Sequence, residues 1–318
     1  MFNLTIIKAI KMKKNNILVA LVFCVICISC YSQHQNKQNL KDIYFGLKAP
    51  DLNPEIFAPD IISTDEFEFG MAFSNDGNEI YFTRRPNYNG SNNRIYATKF
   101  KDHQWSTPKL ASFGMNTFEF EPTISPDGSI LYFYSERDGE RDSRFDGDLW
   151  MSTRQGDDWS KPVFMKSPIN KKYCMSVSPS TKGNLFFASN YNGKRGIYKA
   201  NVKAKSIDDL EYLPKEINEF NGAHPFIAPD ESYIIFDAQL NGWGKPELFI
   251  SFKKEDSTWT KAINMGPEIN LTKTEFGAIV SPDGKFLFFH RRVNGKGDLY
   301  CMNAKIIQVL KNKSNTKS

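Results

Sequence analysis

The 318-residue sequence has few of the features that announce chemistry. It holds five cysteines, and Cys24, Cys27 and Cys30 all fall near its start, leaving Cys174 and Cys301. Two cysteines in so large a domain do not make a disulfide framework, so both read as buried small hydrophobes. Histidine is as scarce, with four in all, and none stands at ligand spacing from another. Beyond residue 30 there is no nucleophile elbow, Walker loop, dinucleotide fingerprint, His-Glu-x-x-His or Cys-x-x-Cys. Any catalytic site must therefore be assembled from separate strands, and neither a cofactor nor a metal is expected. A surplus of one charge is missing too. The formal charge of +5 includes Lys8, Lys11, Lys13 and Lys14, and the rest of the chain carries 37 basic against 36 acidic residues. Nucleic-acid binders show a basic stripe, so nucleic acid is not expected as a partner.

The single long apolar run is Ile17 to Ile28, too short to span a bilayer comfortably. Lys11, Lys13 and Lys14 precede it and Ser29-Cys30 ends it, which is the three-part pattern of an export signal. Translation from Met12 rather than Met1 would keep every part of that signal. Ile28-Ser29-Cys30 resembles a lipoprotein signal box, although Cys27 stands where such boxes usually carry an aliphatic residue. The resemblance implies acylation of Cys30 and a membrane attachment through that lipid. Two alternatives stay open: ordinary cleavage after Ser32, and an uncleaved anchor, which the short run disfavours.

What the chain does have is repetition, the first thing to seek in a sequence of this kind. Phe73-Ser-Asn-Asp-Gly-Asn-Glu-Ile-Tyr-Phe82 recurs as Ile124-Ser-Pro-Asp-Gly-Ser-Ile-Leu-Tyr-Phe133, and again from Val177, Ile227 and Val280. Taken at Ser74, Ser125, Ser178, Ala228 and Ser281, the intervals are 51, 53, 50 and 53 residues, the third copy carrying one extra residue. Each copy reads as four strands. Ser-Pro-Asp-Gly turns the first strand into an apolar second, and Asn-Gly follows at 89–90, 192–193, 241–242 and 294–295. The second copy has Asp138-Gly139 or Asp146-Gly147 in a longer acidic loop, which matches no calcium-loop spacing and reads as a solvated hairpin. Third strands carry Ile95-Tyr96, Leu149-Trp150, Ile197-Tyr198, Leu248-Phe249 and Leu299-Tyr300, and fourth strands open on Trp105, Trp159 or Trp259. The fifth copy stops after its third strand, while Asn53-Pro54-Glu55-Ile56-Phe57-Ala58-Pro59 looks like a fourth strand without its sheet.

These repeats resemble the WD40-like repeats of TolB-type propellers, and more narrowly single-domain propeller lipoproteins of Bacteroidetes-type bacteria. The expected fold is all-β: a single five-bladed β-propeller over 44–308, closed by the N-terminal strand in its last blade. Residues 1–30 form the lipoprotein-type signal peptide, 31–43 a polar tether and 309–318 a flexible tail. The resemblance is specific for fold and poor for function, because propellers host hydrolases, lyases and pure binders.

Aligned first strands give an outer column Glu68, Glu119, Lys172, Gly222, Glu275 and a second column Gly70, Glu121, Cys174, His224, Gly277. Phe69, Phe120, Tyr173, Ala223 and Phe276 lie between them, so period-two alternation sets polar and aromatic residues on opposite faces. The catalytic candidates are Glu68, Glu119, Glu121, Glu275 and His224, since crowded carboxylates raise a pKa as general acids require. The competing reading pairs the glutamates with Lys172, Arg84, Arg85, Arg137, Arg291 or Arg292. Occurrence in several repeats favours that structural role, because a catalytic residue is needed once. His224 breaks the repeat pattern, and with Lys172 and Glu121 it marks a binding position at the channel mouth. The leading expectation is a non-enzymatic scaffold in the cell envelope, in the outer membrane or facing the periplasm, that docks a protein, peptide or glycan on one face. A glycan-active hydrolase or lyase using the channel-mouth carboxylates is the alternative, and sensing of a metal or small ligand through His224 and Glu121 a third.

Overall fold

The computed structural model describes residues 44–45, 50–86, 92–115, 117–137, 148–165, 168–171, 173–202, 210–239, 245–272 and 274–315. Cys30, Lys172, the acidic loop 138–147 and the Asn-Gly pairs at 89–90 and 241–242 lie outside them. Two units divide the chain, 1–48 and 49–318, and every strand among the described residues belongs to the second.

Strand follows strand in five antiparallel sets. After β1 (Glu55–Ile56), the first set is β2 (Phe67–Phe73), β3 (Glu79–Arg85), β4 (Arg94–Lys101), β5 (Gln104–Trp105) and β6 (Lys109–Leu110). The second is β7 (Glu119–Ile124), β8 (Ile130–Ser135), β9 (Asp148–Gln155), β10 (Asp158–Trp159) and β11 (Val163–Phe164). The third is β12 (Cys174–Pro179), β13 (Asn184–Ser189), β14 (Gly196–Asn201) and β15 (Glu211–Tyr212), followed by the short helix α1 (Lys215–Asn218). The fourth is β16 (Ala223–Ile227), β17 (Tyr233–Ala238), β18 (Glu247–Phe252) and β19 (Ile263–Asn264). The fifth is β20 (Phe276–Val280), β21 (Phe286–Val293) and β22 (Lys296–Asn303), followed by helix α2 (Lys305–Asn315). The segment expected as a frayed end is thus helical to Asn315. Leu310 anchors that helix in the core, which a solvated tail would not do.

The local reasons are those of the sequence. In the first hairpin Ser74 Oγ donates to Asp76 Oδ1 (2.6 Å) and accepts from the Glu79 amide (2.9 Å), and Ser125 and Ser281 repeat both bonds. Asn294 and Gly295 both take positive φ, 50° and 87°, the left-handed pair that a two-residue hairpin turn needs. Second strands have both faces buried and give each face to a different neighbour. Phe186 packs with Ile234 and Phe236 of the fourth sheet, while Leu185 and Phe187 pack with Tyr132 and Tyr134 of the second. Ile235 in turn meets Leu287 and Phe289 of the fifth.

The third repeat is set two residues away from its expected register. Its turn is Ser180-Thr-Lys-Gly183, with the Gly183 amide on Ser180 O (3.1 Å), as the Gly128 amide sits on Ser125 O (2.8 Å). The hairpin closes with Ser180 N on Asn184 O, so it is one residue shorter than its counterparts rather than longer. Ser178-Pro179, which looks like the Ser-Pro of the other turns, lies inside β12. This turn has no aspartate, and the fourth repeat supplies the acid instead. Glu231 occupies the glycine position of its own turn at φ 64°, and its carboxylate accepts from Ser180 Oγ (2.7 Å) and Asn184 Nδ2 (2.7 Å).

Neighbouring sheets are stitched near their first strands. Thr83 Oγ1 accepts from Glu121 N (2.8 Å), Tyr134 Oη meets Cys174 Sγ (3.3 Å), and Ser178 Oγ accepts from Ile227 N (2.9 Å). Asp237 Oδ1 accepts from Gly277 N (3.4 Å), and His290 Nδ1 donates to Glu68 O (2.7 Å), which links the fifth sheet to the first. A parallel bridge between Phe67 and Gly297 makes the same connection. Burial lowers the pKa of His290 to about 3, so the ring stays neutral and carries its proton on Nδ1.

The segment before the first repeat joins the last sheet. β1 runs antiparallel to β22, pairing Glu55 with Cys301 and Ile56 with Tyr300, and Phe57 N donates to Leu299 O (2.8 Å). Phe57 is 1% exposed and meets Phe288 edge-on with ring centroids 4.9 Å apart. Phe57→Ala is therefore expected to cost about 3–5 kcal/mol in urea denaturation, the loss of a true core residue. A cost within about 0.5 kcal/mol, ordinary for a peripheral position, would show that the segment does not hold the last sheet.

Candidate functional site

Three of the four candidate glutamates are committed to the scaffold. Glu68, Glu119 and Glu275 are each fully buried. Arg84 Nε donates to Glu68 (2.8 Å) and Arg291 Nε to Glu275 (3.0 Å), while Arg137 pairs with Glu119. Each arginine also donates to carbonyls of the loop that enters its sheet: Ile61 and Ile62, Phe113, or Glu268 and Ile269. Its guanidinium lies over two aromatic rings, Phe82 and Tyr96, Phe133 and Trp150, or Phe289 and Tyr300. The result is a clasp repeated in the first, second and fifth sheets. Burial raises the Glu68 pKa against the opposing pull of Thr64 and Arg84, and the acid is sealed from solvent.

The corrected register moves the third repeat's contribution. Cys174, not Lys172, occupies the outer column, where burial pushes its thiol up to about 12. Ser176, not Cys174, occupies the second column. That column now reads Gly70, Glu121, Ser176, His224 and Gly277. At each of these positions the first strand carries a β-bulge, and each residue has positive φ between 43° and 61°. An extra residue on one strand breaks the two-residue alternation and re-aims the side chain. Left-handed backbone costs a non-glycine residue about 1–2 kcal/mol, and two of the five repeats use glycine. Gly70 has a second reason: a Cβ there would meet Glu121 Cα and Cγ at 3.0 Å. Glu121, Ser176 and His224 bear the strain for the sake of their side chains.

Those side chains form one hydrogen-bonded chain. Ser176 Oγ donates to Glu121 Oε2 (2.5 Å), His224 Nε2 lies 3.2 Å from Glu121 Oε1, and His224 Nδ1 lies 2.8 Å from Asp237 Oδ1. Asp237, from the second strand of the fourth sheet, is not among the sequence candidates. Its sequence signal is its position directly after Phe236, where other repeats have Thr83, Tyr134, Ala188 and His290. Burial alone would lower the pKa of His224, but Asp237 and Glu121 overcome it and hold it well above the usual histidine value. The ring is therefore an imidazolium donating from both nitrogens.

Glu121, His224 and Asp237 line a cleft of about 390 Å³ together with Phe69, Phe120, Phe276 and the buried Asn93, and the exposed Arg195 and Asn221 stand at its edge. The bulge residues themselves ring a narrow waist of about 50 Å³ beyond it. Glu68, Glu119 and Glu275 do not line the cleft. His103 sits on an exposed turn and does not line it either. Among the described residues no group of three or more histidine, cysteine, aspartate or glutamate side chains is placed to hold a metal ion. No helix among the described residues is long and apolar enough to cross a membrane.

No protein-family model matches the chain, and no curated protein matches it. Among solved structures it is similar to TolB from Acinetobacter baumannii, with 14% identity over 77% of this chain and 53% of that one and a TM-score of 0.48. It thus spans about half the length of that protein. A putative TolB from Agrobacterium tumefaciens is 15% identical over 75% of this chain and 77% of that one, TM-score 0.49. An oligogalacturonate lyase in complex with manganese is 17% identical over 75% and 66%, TM-score 0.41. At these identities the likenesses carry no statement about activity, substrate or partner.

This division of labour is measurable at both kinds of residue. Arg291→Leu strands the buried Glu275 carboxylate and is expected to cost about 3–5 kcal/mol, whereas Glu275→Leu/Arg291→Leu recovers most of that loss; equal destabilisation of both variants in urea would show that the clasp is not an ion pair in energetic terms. His224 acts in the other direction along the pH axis. A histidine whose folded pKa lies above its unfolded value of about 6.5 contributes stability fully below that value and loses it as pH rises through the folded pKa. The melting-temperature gap between the native protein and His224→Gln should therefore shrink as pH is raised above neutrality, and a widening gap would mean that the folded ring is neutral.

Proposed function

We propose that the five sheets close into a single five-bladed β-propeller that serves as a binding module of the cell envelope. The stitches from each sheet to the next, with His290 returning to the first, support closure, as does the pairing of β1 with β22. Export and attachment through acylated Cys30 rest on the leader sequence. The partner is an envelope protein, peptide or glycan that docks on the face bearing the 390 Å³ cleft.

One observation carries the binding reading. The repeated glutamates are spent on arginine clasps, while the unrepeated Glu121, His224 and Asp237 wall an open cleft. A glycoside hydrolase needs two free carboxyl groups flanking its substrate. Glu68, Glu119 and Glu275 supply none, so the hydrolase or lyase alternative is left with Glu121 and Asp237, both tied to the one ring of His224.

Arg195 and Asn221 are exposed at the cleft edge and make the natural probe. Immobilised protein is expected to retain a discrete component of an envelope extract, and Arg195→Ala/Asn221→Gly, which keeps the left-handed backbone of residue 221 unstrained, is expected to lose it without a fall in melting temperature. Equal retention by the variant would remove the cleft face from the interaction. Release of new sugar ends from envelope polysaccharide by the native protein would make it an enzyme.

A further inference from the structure

The lining of the cleft holds a buried acceptor with nothing to accept. Asn93 is 5% exposed and lines the cleft, and its Oδ1 has no hydrogen-bond partner among the described residues. Its backbone carbonyl is satisfied by the Glu119 amide (3.0 Å) and by Arg94 Nη1 (2.9 Å), so only the side-chain oxygen is left over. Buried polar atoms of this kind are rare in folded proteins and cost stability. A ligand that donates a hydrogen bond would remove the cost.

The rest of the cleft defines what else that ligand carries. Among the described residues its charged lining consists of Glu121, Asp237, His224 and Arg195. With the histidine an imidazolium, two negative and two positive charges balance, which favours neither an anion nor a cation. The carboxylates of Glu121 and Asp237 have lone pairs beyond those used by Ser176 and His224, and they accept from donors only. Phe69 and Phe120, largely buried, and the half-buried Phe276 give the lining its aromatic surface, whose negative quadrupole attracts polarised C–H groups. The volume of about 390 Å³ stands at the small end of ligand pockets, roughly 300–1,000 Å³. Gly277 leaves open space within 4 Å of where a side chain would begin, in the waist that His224 and Phe276 share with the cleft.

We propose that this cleft is a sugar site, taking one or two rings of an uncharged glycan. Ring hydroxyls donate to Asn93 Oδ1 and to the Glu121 carboxylate, and a C–H face of the sugar lies on the phenylalanine lining. The assignment rests on the binding role above and narrows its partner to a neutral carbohydrate.

Ligand-observed saturation-transfer NMR and calorimetry on the folded protein test it, with cellobiose, maltose and N,N′-diacetylchitobiose as neutral probes. Digalacturonate serves as the anionic comparison and an acetylated dipeptide amide as the peptide one. At least one neutral disaccharide is expected to bind in the millimolar range or tighter. Asn93→Ala should weaken that disaccharide about 10-fold, the value of one good hydrogen bond, and leave the melting temperature unchanged or higher. Failure of all three sugars, tighter binding of digalacturonate or the dipeptide, or unchanged affinity in Asn93→Ala would each overturn the assignment. If the sugars fail while Arg195 and Asn221 still govern retention of an envelope component, only the ligand class falls. If that retention fails as well, the binding role falls with it.

Discussion

The cleft and waist of this protein depend on one added residue in each first strand. The bulge at Gly70, Glu121, Ser176, His224 and Gly277 forces a left-handed backbone five times over, and all five positions line the same narrow waist. Where nothing is needed there, glycine meets the constraint without strain. Where a side chain is needed, the fold holds it against its conformational preference, and three such side chains end up within one hydrogen-bonded chain. The constraint is a property of the sheets, and the chemistry is what the sequence places on it.

Repetition and singularity separate cleanly along that boundary. The glutamate–arginine clasp appears in three sheets with the same parts: a buried carboxylate, a guanidinium over two rings, and loop carbonyls. A second recurring device serves the third strands. Asn170, Asn218 and Asn270 each accept from the amide of the buried aliphatic residue of that strand, at 3.0, 2.8 and 2.7 Å, and return a bond to its carbonyl. Parts that recur hold sheets together. The serine–glutamate–histidine–aspartate chain occurs once.

Much of this is legible in the amino-acid order, and the losses have physical causes. Turn chemistry shows itself because serine, aspartate and glycine are each required by a specific backbone geometry. The pairing of glutamates with arginines is readable because like positions in several repeats carry the same residue. The third repeat misaligns because Ser178-Pro179 imitates the turn dipeptide, while the true turn, Ser180 to Gly183, keeps only the serine-to-glycine spacing. That slip hides Ser176. Asp237 leaves only the faint signal of a carboxylate after Phe236, and Asn93 leaves none: their roles depend on bulged strands and loops that bring distant residues beside them, and a bulge leaves no mark in a pattern of alternating polarity.

Glu231 shows how far the repeats have ceased to be independent. By standing where a glycine belongs, it accepts a strained backbone in the fourth repeat to supply the acid that the third repeat's turn lacks. Two imperfect copies are thus complete only as a pair. Neither can be excised, duplicated or exchanged for a neighbour without orphaning a buried serine or a buried carboxylate, so the order of these two repeats is fixed.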